Sequence, residues 1–195
     1  KLHFKAHETK TLYCRLVNAF IDTPFPEGIE TIFHQRKQEA DDFYNAIIPQ
    51  HLSEEQKNIS RQAYAGLLWS KQYYGFDVEK WLTNSDGITP VNDGKKFGRN
   101  HDWKHLKNSD IILMPDKWEY PWYAAWDLAF HCIGMASLDP VFAKHQLLLI
   151  MREWYMKPDG QLPAYEWNFS DVNPPVHAFA ALEVYRIAKE RNGKG

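Results

Sequence analysis

The stretch Trp118-Glu119-Tyr120-Pro121-Trp122-Tyr123-Ala124-Ala125-Trp126-Asp127-Leu128-Ala129-Phe130-His131 decides how this chain is read. Proline is tolerated in the first turn of a helix, so Pro121 and the apolar run behind it predict a helix over about 120–138. At about 100° per residue, Tyr120, Tyr123, Asp127, His131 and Gly134 share one face of that helix. One carboxyl group is thereby set among aromatic rings. Two effects compete for its proton. Proximity to the helix N-terminus favours the carboxylate by about 0.3–1 kcal/mol, less than about one pKa unit. Burial among Trp122, Tyr123 and Trp126 raises a carboxyl pKa by up to about 3–5 units. At a dry site burial wins, and Asp127 stays protonated near neutrality. A protonated carboxyl beside a sugar can give its proton to a glycosidic oxygen. Spacing alone fits better an aspartate tied to the backbone or to a ring N–H.

Downstream, Asp139-Pro140 reads as an N-cap followed by proline, opening a helix over about 140–156. Lys157-Pro158-Asp159-Gly160 is a turn. The loop from Gln161 to Val172 holds Tyr165, Glu166, Trp167 and Asp171, and Pro174-Pro175 leads into a helix over about 175–191. Upstream, Ser53 and Gln56 form a capping box for a helix over about 54–74. An extended piece follows from Phe76 to Leu82, then a polar loop from 83 to 108. A helix over about 28–48 ends before Pro49, and Asp41-Asp42 reads as part of its solvated face. Residues 1–27 form an N-terminal arm in which 11–20 could be a strand. The fold class is all-α.

Composition removes several function classes. The net charge is −2 and no basic stripe is present, which argues against nucleic acid as a partner. The longest apolar stretch, Leu147 to Met151, is far too short to cross a bilayer. Cys14 and Cys132 lack any paired spacing, so free thiols and a cytoplasmic setting are expected. There is no phosphate-binding loop, no dinucleotide fingerprint and no Gly-x-Ser-x-Gly elbow. His101 and His105 stand four apart beside Asp102 without an evident third ligand, so no metal site is assigned. His131-Cys132 are adjacent on a helix and point about 100° apart, which is wrong for a thiol–imidazole pair. Aromatic residues make up 15% of the chain, and their clustering around 118–126 and 154–169 asks for more than core packing.

Those clusters carry a resemblance. Met114-Pro115-Asp116-Lys117-Trp118-Glu119-Tyr120-Pro121-Trp122 through Trp126-Asp127 resembles the signature of family 63-type glycoside hydrolases, nearest a bacterial group related to mannosylglycerate hydrolase. Arg152-Glu153-Trp154-Tyr155-Met156, Asp159 through Trp167 and Asp171-Val172-Asn173-Pro174-Pro175-Val176 continue the likeness over about 110–180. Residues 28–82 match more loosely.

The resemblance implies an (α/α)6 barrel, of which residues 28–195 would supply about half the helix pairs as a partial catalytic domain. It implies an inverting hydrolase acting on α-linked glucosides or mannosides, with Asp127 as general acid and no cofactor. Trp118, Tyr120, Trp122, Tyr123 and Trp126 are candidates to shape the sugar site, and Gln161, Tyr165, Glu166, Asp171 and Asn173 to line its rim. The family's Glu base and its Gly-Pro-x-Trp region have no counterpart here. The expectation is therefore an excised or incomplete domain with its base past Gly195, little activity alone, and inner helix faces that drive self-association. The rival expectation is a non-catalytic, all-helical sugar-binding or protein-interaction module.

Overall fold

A computed structural model describes residues 1–23, 25, 28–83, 94, 97–98, 100–165 and 170–193. Among these residues the chain is mostly helical, with six α-helices and one two-stranded sheet. It divides into two compact units, Lys1–Ala46 and Ile47–Gly195. No described helix is long and apolar enough to cross a membrane.

In the first unit, residues 11–20 form no strand; they have no ladder partner and run irregularly. Helix α1 (Ile29–Ile47) opens after Gly28, whose φ of 86° lies in the left-handed region that glycine tolerates. It stops two residues before Pro49, as expected for a residue that cannot donate to the ladder. None of its residues is buried. The Tyr13 ring lies 5.8 Å from that of Phe33, and its hydroxyl donates to Glu30 Oε1 at 3.4 Å. Asp42 accepts from Gln38 Nε2 at 2.8 Å on an exposed face.

In the second unit, helix α2 (Glu54–Trp69) starts with the capping box expected from Ser53 and Gln56. It ends at Trp69, not 74. The chain turns at Ser70 into strand β1 (Lys71–Asp77), whose Tyr73, Tyr74 and Phe76 suit a pleated surface. Helix α3 (Val78–Thr83) occupies most of the piece expected to be extended. Strand β2 (Lys107–Leu113) pairs antiparallel with β1, with Tyr73 opposite Ile111 and Gly75 opposite Ser109. This strand begins inside the segment read as a loop. Val78, Leu82, Trp103 and Leu106 form a small core beneath it. The Trp103 indole donates to the Met156 carbonyl at 2.8 Å, so the buried N–H is satisfied.

The main core is built by helices α4 (Ala125–Ala136), α5 (Pro140–Leu149) and α6 (Val176–Asn192). Leu128, Cys132 and Met135 of α4 meet Ala143 and Leu147 of α5 and Val176, Ala180 and Val184 of α6. Each large side chain so buried contributes about 1.5–3 kcal/mol. Asp139 caps α5 as expected: its Oδ1 accepts from the Phe142 N–H at 2.9 Å, and its Oδ2 meets Lys71 Nζ at 3.1 Å. Helix α5 stops at Leu149, short of 156, because a 3-10 turn over Glu153–Tyr155 carries Tyr155 into the core.

Two long-range contacts set the helix directions. Arg191, in the last turn of α6, donates to the carbonyls of Ser137 at 2.6 Å and Leu138 at 3.3 Å, just past the end of α4. Helices α4 and α6 therefore run parallel. Helix α5 runs back against both, since Tyr155 beyond its end stacks edge-on against Tyr123 at 5.1 Å, just before α4 begins. Gln146 of α5 is buried and grips the outer edge of β2: its Nε2 donates to the Ile111 carbonyl at 2.9 Å and its Oε1 accepts from the Leu113 N–H at 3.0 Å.

Candidate functional site

Helix α4 begins at Ala125, and the expected start at 120 is corrected. Ala124, just before it, is extended at φ −138° and ψ 112°, and the chain bends at Trp122. Tyr120, Trp122 and Ala124 all line a cavity of about 300 Å³. Tyr123 faces the other way. It is fully buried, with its hydroxyl 3.5 Å from the Tyr155 carbonyl. The shared helical face proposed for Tyr120, Tyr123 and Asp127 does not exist, because both tyrosines precede the helix.

The cavity sits at the low end of the about 300–1,000 Å³ range of small-molecule pockets. Trp126 and Asp127, from the first turn of α4, form one wall with Trp122. Ala164 and Tyr165 close it from the loop before α6, and Pro115 from the segment after β2. The rings brace one another: Tyr120 meets Trp122 edge-on at 5.1 Å, and Trp122 lies 6.4 Å from Tyr165. Among the described residues, Asp127 is the carboxylate that lines this cavity.

Burial raises the Asp127 carboxyl above its ordinary range. Its own backbone N–H and the nearby His131 ring pull the other way. Burial prevails although Asp127 stands in the first turn, where the helix dipole favours the anion. One turn further on, His131 is half-buried, and burial pushes its ring below the ordinary histidine value against the pull of Asp127. The His131 Nδ1 has no hydrogen-bond partner among the described residues.

The remaining sequence candidates scatter. Trp118 is 90% exposed and does not line the cavity. Its backbone N–H and that of Glu119 bind the Asp116 carboxylate, which they hold below its usual range. Gln161 acts through its backbone, closing the 157–161 turn: its carbonyl accepts from Lys157 N at 2.9 Å, and its N–H donates to Asp159 Oδ1 at 2.9 Å. Asp171 is exposed; burial lowers the Lys157 ammonium below its ordinary value, and the charges of Asp159 and Asp171 oppose that shift. Asn173 donates its side-chain amide to the Leu162 carbonyl, tying the start of the Tyr165 loop to the approach to α6. Glu166 lies outside the described residues.

His101 pairs with Asp102 at 3.0 Å and with the Gly98 carbonyl at 2.8 Å, while His105 meets the Met156 carbonyl at 3.0 Å. The two imidazoles do not converge. Cys132 is buried and its thiol is pushed up to about 12, so it supplies no thiolate. Sequence reasoning did not mark Pro115, Ala124 or Ala164 as wall residues.

Over 167 residues, 85% of its length, the chain is 54% identical to the uncharacterized protein YMR196W of Saccharomyces cerevisiae. It spans only about 15% of that relative. No protein-family model and no solved structure matches it.

Proposed function

We propose that this chain carries the proton donor of an inverting glycoside hydrolase acting on α-linked glucosides or mannosides, with residues 47–195 forming part of an (α/α)6 barrel. The observation that carries the reading is the half-buried Asp127 carboxyl, held toward its protonated form at the wall of an aromatic cavity. Two parallel helices, α4 and α6, packed on each other with α5 running back against both, also suit the inner–outer–inner repeat of such a barrel.

The chemistry follows from that placement. Trp122, Trp126 and Tyr165 offer flat apolar faces to the C–H faces of a sugar and displace water from the cavity. Asp127 gives its proton to the glycosidic oxygen as the bond from that oxygen to the anomeric carbon breaks. A water attacks the opposite face of the sugar, assisted by a carboxylate about 6.5–9.5 Å from the donor. That base is assigned to none of the described residues, and this chemistry asks for no metal or organic cofactor.

The test uses the full-length natural protein that contains this segment. Asp127→Asn should lower turnover of α-glucosides or α-mannosides by at least about 10²-fold without altering the circular dichroism spectrum. Proton NMR should show the β-anomer as the first product. Sugar binding without turnover, unchanged by Asp127→Asn, would establish the rival reading of a non-catalytic binding module.

A further inference from the structure

The two edges of the β1–β2 sheet are treated differently. On β2, the Leu113 N–H and the Ile111 carbonyl point away from β1 and are satisfied by Gln146. In an antiparallel pair, residues whose backbone groups point outward stand opposite residues that also point outward. The partners of Leu113 and Ile111 are Lys71 and Tyr73, and the same phase continues through Gly75 and Asp77. Among the described residues, no side chain or strand takes the outward N–H and carbonyl groups of Tyr73 and Gly75. Both residues are exposed, Tyr73 at 67%. Bare edges are usually blunted by proline, a charge or a bulge, yet Gln72 through Phe76 has none of these.

We propose that this edge pairs with the same edge of a second copy of the chain. Three features select one register. A two-fold axis through Tyr74 sets Tyr73 opposite Gly75 of the second copy and Lys71 opposite its Asp77. All these residues present outward groups, so each pair exchanges two backbone hydrogen bonds. Every alternative register in this phase overlaps fewer residues. The chosen register also places opposite charges at both ends. Lys71 already meets Asp139, and Asp77 meets Lys80 and Lys107 at 3.8 Å, so the ends supply orientation more than new attraction. At the centre the Tyr73 ring lies over its own Gly75, and a Cβ there would stand 3.0 Å from that ring. The inference is independent of the glycosidase reading.

The experiment combines mass measurement with register-specific cross-linking. Static light scattering on the eluting chain should show a concentration-dependent shift from 22.9 kDa toward twice that value. Tyr73→Lys places a charge on the edge at an exposed position and should abolish the shift while leaving the circular dichroism spectrum unchanged, the loss of the exposed Ser109 hydrogen bond being a small cost. In a Cys14→Ser background, Tyr73→Cys protein mixed with Gly75→Cys protein should form a mixed disulfide dimer on mild oxidation. The paired Cα atoms would stand about 5.5 Å apart, within the range a disulfide spans. A mass of 22.9 kDa at all concentrations overturns the proposal. So does a dimer that survives Tyr73→Lys, or a mixture that cross-links no better than either variant alone.

Discussion

Replacing Gln146 by methionine tests what holds the sheet to the helices. Gln146 is 3% exposed and mimics a neighbouring strand, accepting from the Leu113 N–H and donating to the Ile111 carbonyl. Methionine keeps the length and flexibility of the side chain but neither hydrogen bond. Two backbone groups then lose their partners, at about 1–3 kcal/mol each. The better apolar transfer of methionine offsets part of this, leaving a net loss of about 2–4 kcal/mol. For a domain of this size each kcal/mol moves Tm by about 2–4 °C, so Tm should fall by about 4–16 °C. Urea unfolding followed by tryptophan fluorescence should show a lower midpoint with an unchanged slope. Gln146→Glu supplies a second measurement. Its neutral form can still donate to Ile111, so its folded pKa is raised. Its stability should be fully present below the unfolded glutamate value, about 4.3, and lost as pH rises through the folded one. A methionine variant within about 0.5 kcal/mol of the parent, the noise of an ordinary surface change, would refute the argument.

Three further outcomes follow from the geometry. Because the folded pKa of Asp127 is raised, its contribution is present below the ordinary aspartate value and is lost as pH rises through the folded one; Asp127→Asn should therefore be at least as stable as the parent at pH 7, by urea unfolding at pH 4 and pH 7. His131 and His177 are both lowered by burial, so their imidazole carbon signals should titrate below about 6.5, and stability should fall as pH drops through that value. Iodoacetamide at pH 8 should label exposed Cys14 promptly and spare Cys132 until the chain is unfolded, read by peptide mass.

Local signals in the sequence found local structure. The Ser53 and Gln56 capping box, Asp139-Pro140 at the head of α5, and the aromatic setting of Asp127 are each encoded within a few neighbouring residues. The sheet was harder to see. Tyr73 and Tyr74 continue the apolar spacing of α2, so nothing nearby separates a longer helix from a strand. Half of β2 is polar, and its outer edge is satisfied by Gln146, 33 residues away in sequence from Leu113. The start of α4 was misplaced because Pro121 fits both a first helical turn and an extended approach. Burial of Tyr123 against Tyr155, 32 residues on, selects the second.

The clasp between Arg191 and the carbonyls of Ser137 and Leu138 has a consequence for biosynthesis. A ribosome adds about 5–20 residues per second. The guanidinium emerges 54 residues after Ser137, a delay of about 3–11 s at that speed. During that interval α4 is already made, while the helix that buries its other flank is still being translated. A nascent chain stalled just short of Val176 lacks α6 and displays this uncovered flank, and there a chaperone has its longest opportunity to engage.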